Sequence, residues 1–432
     1  MIRRYFLAVA LSTCLTLTTG IGAANAEMAS TITEPVTISF YNYNLATAGI
    51  GREATLELIA AFEKANPLIK VEPVGAPSNE VLSRVQADMV AGRDVDVAQL
   101  VFRDLIYAAE QLGAQPLEDV VGQNLADHAT GFVPAGLALG KVGNKTYGLA
   151  YVFSTPVMFI NRSLFERAGL DPNRPPRTWD EVKAAGIAIS QKTGKYGFFP
   201  GAYGPTDGTF IYQSIVMSNG GKVREGNTLT FAEKDQADAV VMLRDLVDSG
   251  AHARIDVAAP LDTFQSGNLG MFLYTSAVLN RLERAAAGNF ELGIAPLPSF
   301  GEKPTAPTNS GSAIFMFSQD PVKQRAAWEL MKFLTSDEAY TIITTKIGYL
   351  PLRPETLSDP RYLKGWIEAN PKFRVNLDQL DRLTPNLAFG GPNYRQVENM
   401  MKDAVTEAVF GAGDPREILR TAQERAQALM PK

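Results

Sequence analysis

Apolar and polar positions alternate along this chain with two different periods, one typical of strands and one typical of helices. Near the start of the chain, short apolar runs bounded by polar residues predict three strands, at 36–40, 70–74 and 95–101. Between them, apolar residues recur at helical spacing in two segments, 51–66 and 81–91. The order strand, helix, strand, helix, strand predicts a mainly parallel sheet with helices on both faces.

The same two patterns continue to the end of the chain. Further strands are predicted by apolar runs at 264–274, 292–297 and 310–317. Asp320-Pro321 and Asp414-Pro415 are typical helix starts, with Asp as the N-cap and Pro in the first turn. No repeat or long linker separates these segments, and 432 residues exceed what one hydrophobic core usually holds. We therefore expect two lobes that share several chain crossings.

The segment 153–182, FSTPVMFINRSLFERAGLDPNRPPRTWDEV, contains a compact succession of start and stop signals. An apolar run at 157–160 predicts a strand. Ser163 with Glu166 has the spacing of a capping box and predicts a helix that ends at Gly169. Thr178 with Glu181 repeats the capping-box spacing and predicts the start of the next helix.

The first 26 residues have the features of an export signal rather than of a folded element. Arg3 and Arg4 precede an apolar stretch, and Ala24-Asn25-Ala26 is a typical cleavage site. We expect cleavage before Glu27, which changes the formal charge from −5 to −7 because two arginines are removed. Cys14, the one cysteine, lies in a poor context for lipid attachment, so we expect a periplasmic protein without a lipid anchor. An acidic chain without a basic run gives no support for a nucleic-acid partner.

Residues that carry catalytic or metal chemistry are sparse. The two histidines, His128 and His252, are more than a hundred residues apart, and we interpret both as solvated or capping residues. Asp94 and Asp96 are interpreted as solvated loop acids, since paired carboxylates alone do not indicate a glycosidase. No metal-ligand, nucleophile-elbow or phosphate-loop motif occurs in the sequence. The sequence therefore predicts neither an enzyme, a metal site nor a cofactor.

Five motifs together resemble the family 1 extracellular solute-binding proteins of bacterial ABC importers, and most of all their glycerol-3-phosphate-binding branch. They are FSTPVMFIN (153–161), AGLDPNRPPRTWDEV (168–182), FQSGNLGMFL (264–273), LGIAPLP (292–298) and KIGYLPLRPE (346–355). The resemblance implies an α/β, two-lobed periplasmic binding protein fold, with mainly parallel sheets and a ligand clamped between lobes that several hinge crossings join. We expect a signal peptide at 1–26, a first lobe of 27–152 plus 305–347, and a second lobe of 153–304 plus 348–432. The implied partners are a small-molecule ligand and the importer's membrane subunits, with the binding protein itself a monomer.

The resemblance to this branch also implies contacts to a phosphate group. The matching positions are Ser154, Ser276 (or its neighbour Thr275), Gly311, Tyr349 and Arg395. These residue types suit an anion, because a guanidinium and hydroxyl groups donate strong hydrogen bonds to negatively charged oxygens. Each side chain also has an alternative interpretation: Ser276 as an N-cap, Tyr349 as a packing residue, Arg395 as a surface helix residue and Ser154 as a hydrogen-bond partner of the backbone at a hinge.

The part of the site that would hold the rest of the ligand departs from the branch. Asn79 lies where an aromatic residue is typical, and Arg103 lies where an acidic residue is typical. Arg103 either faces the cleft, which would favour a bulkier or more anionic ligand, or it pairs with Asp104 or points to solvent. Trp179 and Tyr43 complete the candidate ligand contacts, with simple packing as the alternative for both.

These observations predict a periplasmic binding protein for a small anionic polar solute. Glycerol-3-phosphate, a glycerophosphodiester and a phosphorylated or otherwise anionic sugar all fit that description. A neutral mono- or oligosaccharide is the first alternative, with Arg395 bonding to hydroxyl groups. A secreted carbohydrate-active enzyme is the remote alternative.

Overall fold

The computed structural model describes residues 27–46, 48–203 and 209–432, so the predicted signal peptide and Cys14 lie outside the described residues. In chain order the strands are β1 Val36–Asn42, β2 Ile69–Gly75, β3 Val97–Val101, β4 Lys141–Val142, β5 Lys145–Thr146, β6 Gly148–Ser154, β7 Pro156–Asn161, β8 Tyr196–Pro200, β9 Arg224–Glu225, β10 Thr228–Leu229, β11 Leu269–Thr275, β12 Leu292–Ala295 and β13 Ser310–Met316.

The α-helices surround these strands. They are α1 Ile50–Ala65, α2 Val81–Val90, α3 Leu105–Glu110, α4 Leu117–Val121, α5 Gln123–Ala129, α6 Pro134–Ala138, α7 Arg162–Arg167, α8 Trp179–Thr193, α9 Thr209–Ser218, α10 Lys234–Asp248, α11 Pro260–Gln265, α12 Leu279–Ala286, α13 Pro321–Leu334, α14 Asp337–Ile342, α15 Pro354–Ser358, α16 Lys364–Ala369, α17 Arg374–Leu377, α18 Tyr394–Phe410 and α19 Pro415–Gln427. None of the helices in the described ranges has the length and apolar character of a membrane span.

A first sheet with strand order β2-β1-β3-β13-β6 forms the centre of what we call the first lobe. The strands β1, β2 and β3 pair in parallel, as the strand–helix alternation predicts. The strands β13 and β6 add antiparallel pairings on the other side of β3. The sheet is thus mixed rather than mainly parallel, because the two added strands arrive from distant parts of the chain. Helices α1, α2 and α13 pack against it.

A second sheet with strand order β12-β7-β11-β8 forms the centre of the second lobe. It is also mixed, since β11 pairs in parallel with β8 and antiparallel with β7. Helices α8, α9, α11 and α12 pack against this sheet. The predicted α/β fold with two lobes is confirmed.

The chain crosses between the sheets at points that also shape the site. It leaves the first sheet at Ser154, the last residue of β6, and enters the second at Pro156, the first residue of β7. It returns to the first sheet between β12 and β13. Further on, the backbone N–H of Val133 bonds to the carbonyl of Leu352, so this later segment still contacts the first lobe. The exact residue limits of the lobes stay a prediction.

Most of the predicted helix boundaries are confirmed, and one is wrong. The capping box of Thr178 and Glu181 is present in full, and Gly169 follows α7 with a φ of 75°. Ser163, however, does not cap α7. Asn161 stands immediately before the helix and accepts a hydrogen bond from the N–H of Leu164, so the preferred cap position is already filled. The Ser163 hydroxyl instead accepts from the N–H of Glu291.

Candidate functional site

A cleft of about 270 Å³ lies between the two sheets, at the edge where β1, β3, β6 and β11 end and antiparallel β13 begins. Ends of strands converge here, which is where open α/β sheets usually bind ligands. The lining contains hydroxyl-bearing, aromatic and small apolar residues: Tyr43, Ser78, Val101, Ser154, Phe210, Tyr274, Thr275, Ala277, Val278, Ser310, Gly311 and Tyr349. Four of the nine predicted contacts, Tyr43, Ser154, Gly311 and Tyr349, therefore lie in one cleft.

Two hydroxyl groups, one from each sheet, meet in the cleft. The Thr275 hydroxyl donates to the Ser154 hydroxyl over 2.8 Å. Thr275 ends β11 of the second sheet, and Ser154 ends β6 of the first. Thr275 also caps the short 3-10 helix Ser276–Val278 by accepting from the N–H of Ala277. A ligand at this point would contact both lobes at once.

Ser276, the predicted contact, is completely buried behind this pair. Its N–H donates to the carbonyl of Thr155, and its hydroxyl accepts from the N–H of Thr155 over 3.3 Å. It therefore fixes the crossing between the sheets, and its neighbour Thr275 lines the cleft.

Gly311 opens the cleft through its backbone. Its φ of 116° is one that residues with a side chain rarely adopt, and it lies opposite Phe153 in the pairing of β13 with β6. A Cβ atom at this position would lie 2.0 Å from the carbonyl oxygen of Val152. Only glycine fits here, and Gly311 and its neighbour Ser310 line the cleft wall.

Aromatic rings form much of the remaining wall. The ring of Tyr274 stacks on Phe272 with centroids 4.6 Å apart and planes inclined by 17°. Gly201 makes room for that ring, because a Cβ there would lie 2.4 Å from a Tyr274 ring carbon. A second ring of the wall belongs to Tyr43. Its hydroxyl donates to the Ser312 hydroxyl over 3.2 Å, which holds the Tyr43 ring in place. Such rigid rings suit stacking against the apolar face of a ligand.

A narrow recess of about 20 Å³ adjoins the cleft and contains Arg103. It shares Val101, Phe210, Ser310 and Gly311 with the main cleft. The Arg103 guanidinium lies 3.9 Å from a carboxylate oxygen of Asp104 and 3.9 Å from one of Glu398. Both interpretations of Arg103 thus apply in part: it borders the cleft, and it is paired.

Arg395 lies beside the cleft rather than in its lining. It is the second residue of α18, and its guanidinium contacts both carboxylate oxygens of Asp104, at 3.3 and 3.4 Å. The Tyr394 hydroxyl donates to Asp104 over 2.5 Å. Burial raises the pKa of the Asp104 carboxyl, while the nearby Arg395 charge and the Tyr394 hydrogen bond act to lower it. The cation predicted to hold a phosphate already has a buried carboxylate partner.

Two predicted contacts lie elsewhere. Asn79 is exposed, and its backbone carbonyl accepts a hydrogen bond from the Arg395 guanidinium over 3.5 Å. Its neighbour Ser78 lines the cleft instead. Trp179 is 3% exposed and packs between Phe198 and Phe300, at centroid distances of 5.9 and 6.0 Å. The packing alternative therefore describes Trp179 in this structure.

Sequence reasoning missed several residues of the lining, above all Phe210, Tyr274 and Ser310. Tyr274 and Ser310 directly precede Thr275 and Gly311, so the position of those two at strand ends could have found them. Phe210 lies in the first turn of α9 and carries no signal in the sequence.

The two histidines and Asp96 have structural roles in this fold, whereas Asp94 is exposed, as expected of a solvated loop acid. His252 is buried, with Nε2 2.8 Å from the Tyr203 hydroxyl, and the partly exposed His128 has Nε2 2.7 Å from the Thr335 hydroxyl. Of the two predicted roles, solvated or capping, the solvated one is therefore wrong for His252. Asp96 is buried too and accepts from the Ser318 hydroxyl. Within the described ranges, no group of three or more His, Cys, Asp or Glu side chains could hold a metal ion.

Comparison with known proteins points to one family, that of bacterial extracellular solute-binding proteins. The family model described as bacterial extracellular solute-binding protein matches residues 57–375. A binding protein of Brucella abortus is 26% identical over 391 residues, which cover 87% of this chain and 89% of that protein. The sn-glycerol-3-phosphate-binding periplasmic protein UgpB of Salmonella typhimurium is 22% identical over 406 residues, with coverages of 88% and 90%.

Solved structures match the whole fold at low sequence identity. UgpB from Mycobacterium tuberculosis in complex with glycerophosphocholine has a TM-score of 0.79 and 23% identity, covering 92% of this chain and 98% of its own. The cyclic alpha-maltosyl-1,6-maltose binding protein from Arthrobacter globiformis has a TM-score of 0.78 and 22% identity, with coverages of 91% and 99%. These similarities establish the two-lobed fold and leave the ligand open.

Proposed function

Because the chain belongs to the family of bacterial extracellular solute-binding proteins, we propose that it captures a small polyhydroxylated solute between its lobes. The chain is a non-catalytic substrate-binding component of an ABC importer. In this proposal a monomer in the periplasm delivers the solute to the membrane subunits. The hydroxyl pair of Ser154 and Thr275 carries the proposal, since it joins both sheets at one point of the cleft.

The first candidate ligand carries a phosphate ester or another anionic group on a polyol or sugar. Ser154, Thr275 and Tyr349 would donate hydroxyl hydrogen bonds, and the backbone at Gly311 would allow close approach. Arg395 lies in the first turn of α18, where the helix dipole adds positive potential. The glycerol-3-phosphate-binding relatives agree with this candidate.

A neutral mono- or oligosaccharide is the second candidate, and the pairing of the arginines favours it. Arg395 contacts Asp104, and Arg103 lies near Asp104 and Glu398, so an anion would have to compete with buried carboxylates. The lining of the main cleft consists of hydroxyl-bearing, aromatic, small and apolar residues. Tyr274 and Tyr43 would stack on sugar rings.

Thermal unfolding of ligand-stripped protein distinguishes the candidates. The probes are glycerol-3-phosphate, glycerophosphocholine and maltose, each added at about 1 mM. A probe with a Kd near 10 μM would stabilise the folded state by about 2.7 kcal/mol, which a melting curve detects. A rise with the two phosphate esters alone supports the first candidate, and a rise with maltose alone supports the second.

Substitutions of cleft residues test whether the stabilising probe binds in the cleft. Thr275→Val and Tyr349→Phe each remove one hydroxyl with little change in shape, and each should weaken binding of the stabilising probe about tenfold. Ser163→Ala, far from the cleft on α7, is the matched control and should leave the affinity unchanged. If the cleft variants bind as tightly as wild type, the proposed site is wrong.

A further inference from the structure

Five residues form a charged cluster that spans the lobes beside the cleft: Arg103, Asp104, Tyr394, Arg395 and Glu398. We call it the interlobe cluster. Arg103 and Asp104 belong to the 3-10 helix Phe102–Asp104, which follows β3 of the first sheet. The other three lie on the first two turns of α18, which packs on α10 and α19 of the second lobe.

The charges of this cluster are arranged in a crossed pattern. Each lobe supplies one arginine and one carboxylate. Asp104 of the first lobe contacts Arg395 of the second at 3.3 Å, and Glu398 of the second lies 3.9 Å from Arg103 of the first. The formal charges cancel within the cluster, so its cohesion needs no charge from a ligand.

The two carboxylates of the cluster, Asp104 and Glu398, are buried and each lies close to an arginine of the opposite lobe. Asp104 is completely buried and Glu398 is 5% exposed. Asp104 receives hydrogen bonds from both Tyr394 and Arg395, and Glu398 receives one from Thr209 over 2.9 Å. Charged groups with this degree of burial retain strong electrostatic interactions, because water screens them little. The rings of Tyr107 and Tyr394 add an apolar contact across the same junction, with centroids 5.5 Å apart.

We propose that the interlobe cluster is a latch that holds the two lobes together before ligand binds, with Asp104 as its central positioning residue. This goes beyond the proposed function, because the latch acts in the ligand-free protein, before any solute is bound. In a two-state description, the latch raises the closed fraction of ligand-free molecules and thereby the apparent affinity for a ligand that binds with the cluster intact.

Interlobe distances in ligand-free protein test the latch. Cys14 is the one cysteine of the sequence and falls in the predicted signal, so Val90→Cys on α2 and Lys192→Cys on α8 provide one spin label per lobe. The protein is stripped of ligand by unfolding, dialysis and refolding. Asp104→Asn and Glu398→Gln each remove one charge of the latch at nearly constant volume.

We expect each of these variants to raise the ratio of open to closed molecules at least tenfold relative to wild type. Asp119→Asn, which removes an exposed ion pair with Lys145 inside the first lobe, is the matched control and should leave the distribution unchanged. Tyr394→Phe removes only one hydroxyl and should raise the ratio of open to closed molecules by less. It provides the test of the latch if a charge variant fails to refold. Identical distance distributions in wild type, Asp104→Asn and Tyr394→Phe would overturn the latch. Since no ligand is present, that result would leave the proposed ligand site unaffected.

Discussion

Replacing Gly311 by alanine should damage the wall of the cleft and destabilise the folded protein. Two penalties add at this position. The first is conformational, since a φ of 116° is strained for a residue with a side chain. The second is steric, since the new Cβ would lie 2.0 Å from the carbonyl oxygen of Val152, and backbone cannot rotate away as a side chain can.

The magnitude follows from these two penalties. Backbone strain costs about 1–2 kcal/mol, and relief of an overpacked contact costs about 1–3 kcal/mol. We therefore expect Gly311→Ala to lower the free energy of unfolding by about 2–5 kcal/mol. Gly301→Ala is the matched control: Gly301 also has a positive φ, of 58°, but a Cβ there would meet open space. The control should lose only about 1 kcal/mol.

Urea unfolding followed by circular dichroism measures both losses, and the difference between the variants isolates the steric penalty. In addition, Gly311→Ala should weaken any ligand that stabilises wild type, because β13 and β6 must separate at the cleft edge. If Gly311→Ala is no less stable than Gly301→Ala, the close approach of Gly311 to Val152 is not a feature of the folded protein.

Three further predictions follow from buried or capping side chains. The free energy of unfolding should decrease as pH falls from about 6.5 to 4, because burial lowers the pKa of His252 to about 4 and only the unfolded state gains the proton in that window. This contribution is about 3 kcal/mol, and urea titrations should show a correspondingly weaker pH dependence in His252→Gln; equal slopes would contradict it. Thr178→Ala should cost about 1 kcal/mol in urea unfolding because it removes the cap of α8, and an unchanged midpoint would refute the cap. Trp179→Phe should lower the melting temperature of the ligand-free protein but leave the ligand-induced rise in melting temperature unchanged, because Trp179 packs in the core. Loss of the ligand-induced rise would instead show that Trp179 contributes to ligand binding.

Local sequence signals were sufficient for most elements of the fold and insufficient for how the strands pair. The apolar runs behind β1, β2 and β3 predict strands and, with the helices between them, a parallel arrangement. The run behind β13 predicts a strand equally well, but β13 returns from a distant part of the chain and pairs antiparallel with both β3 and β6, for which no strand is predicted. Strand direction within a sheet depends on long-range topology, which a run of apolar residues does not record.

The cleft shows the same limit at the scale of single residues. Motif matching places ligand contacts near Asn79 and near the Thr275-Ser276 pair. The structure brings Ser78 and Thr275 to the cleft, while Asn79 is exposed and Ser276 is buried. A shift of one residue at a strand end or turn reverses which side chain faces the cleft, because successive side chains point in different directions.

Arg395 is the residue whose meaning changes most between sequence and structure. Its position at the start of α18 suits an anion, and a negatively charged group is indeed bound there, but that group is the carboxylate of Asp104, 291 residues earlier in the chain. No local pattern connects two positions so far apart. A phosphate that used Arg395 would have to displace a buried carboxylate whose other hydrogen-bond donor, Tyr394, belongs to the same helix. An anionic ligand would therefore be bound at the expense of the interlobe cluster, whereas a neutral sugar held by Ser154 and Thr275 could bind with the cluster intact. Removing the charge of Asp104 should consequently favour glycerol-3-phosphate over maltose, even though it loosens the lobes for both.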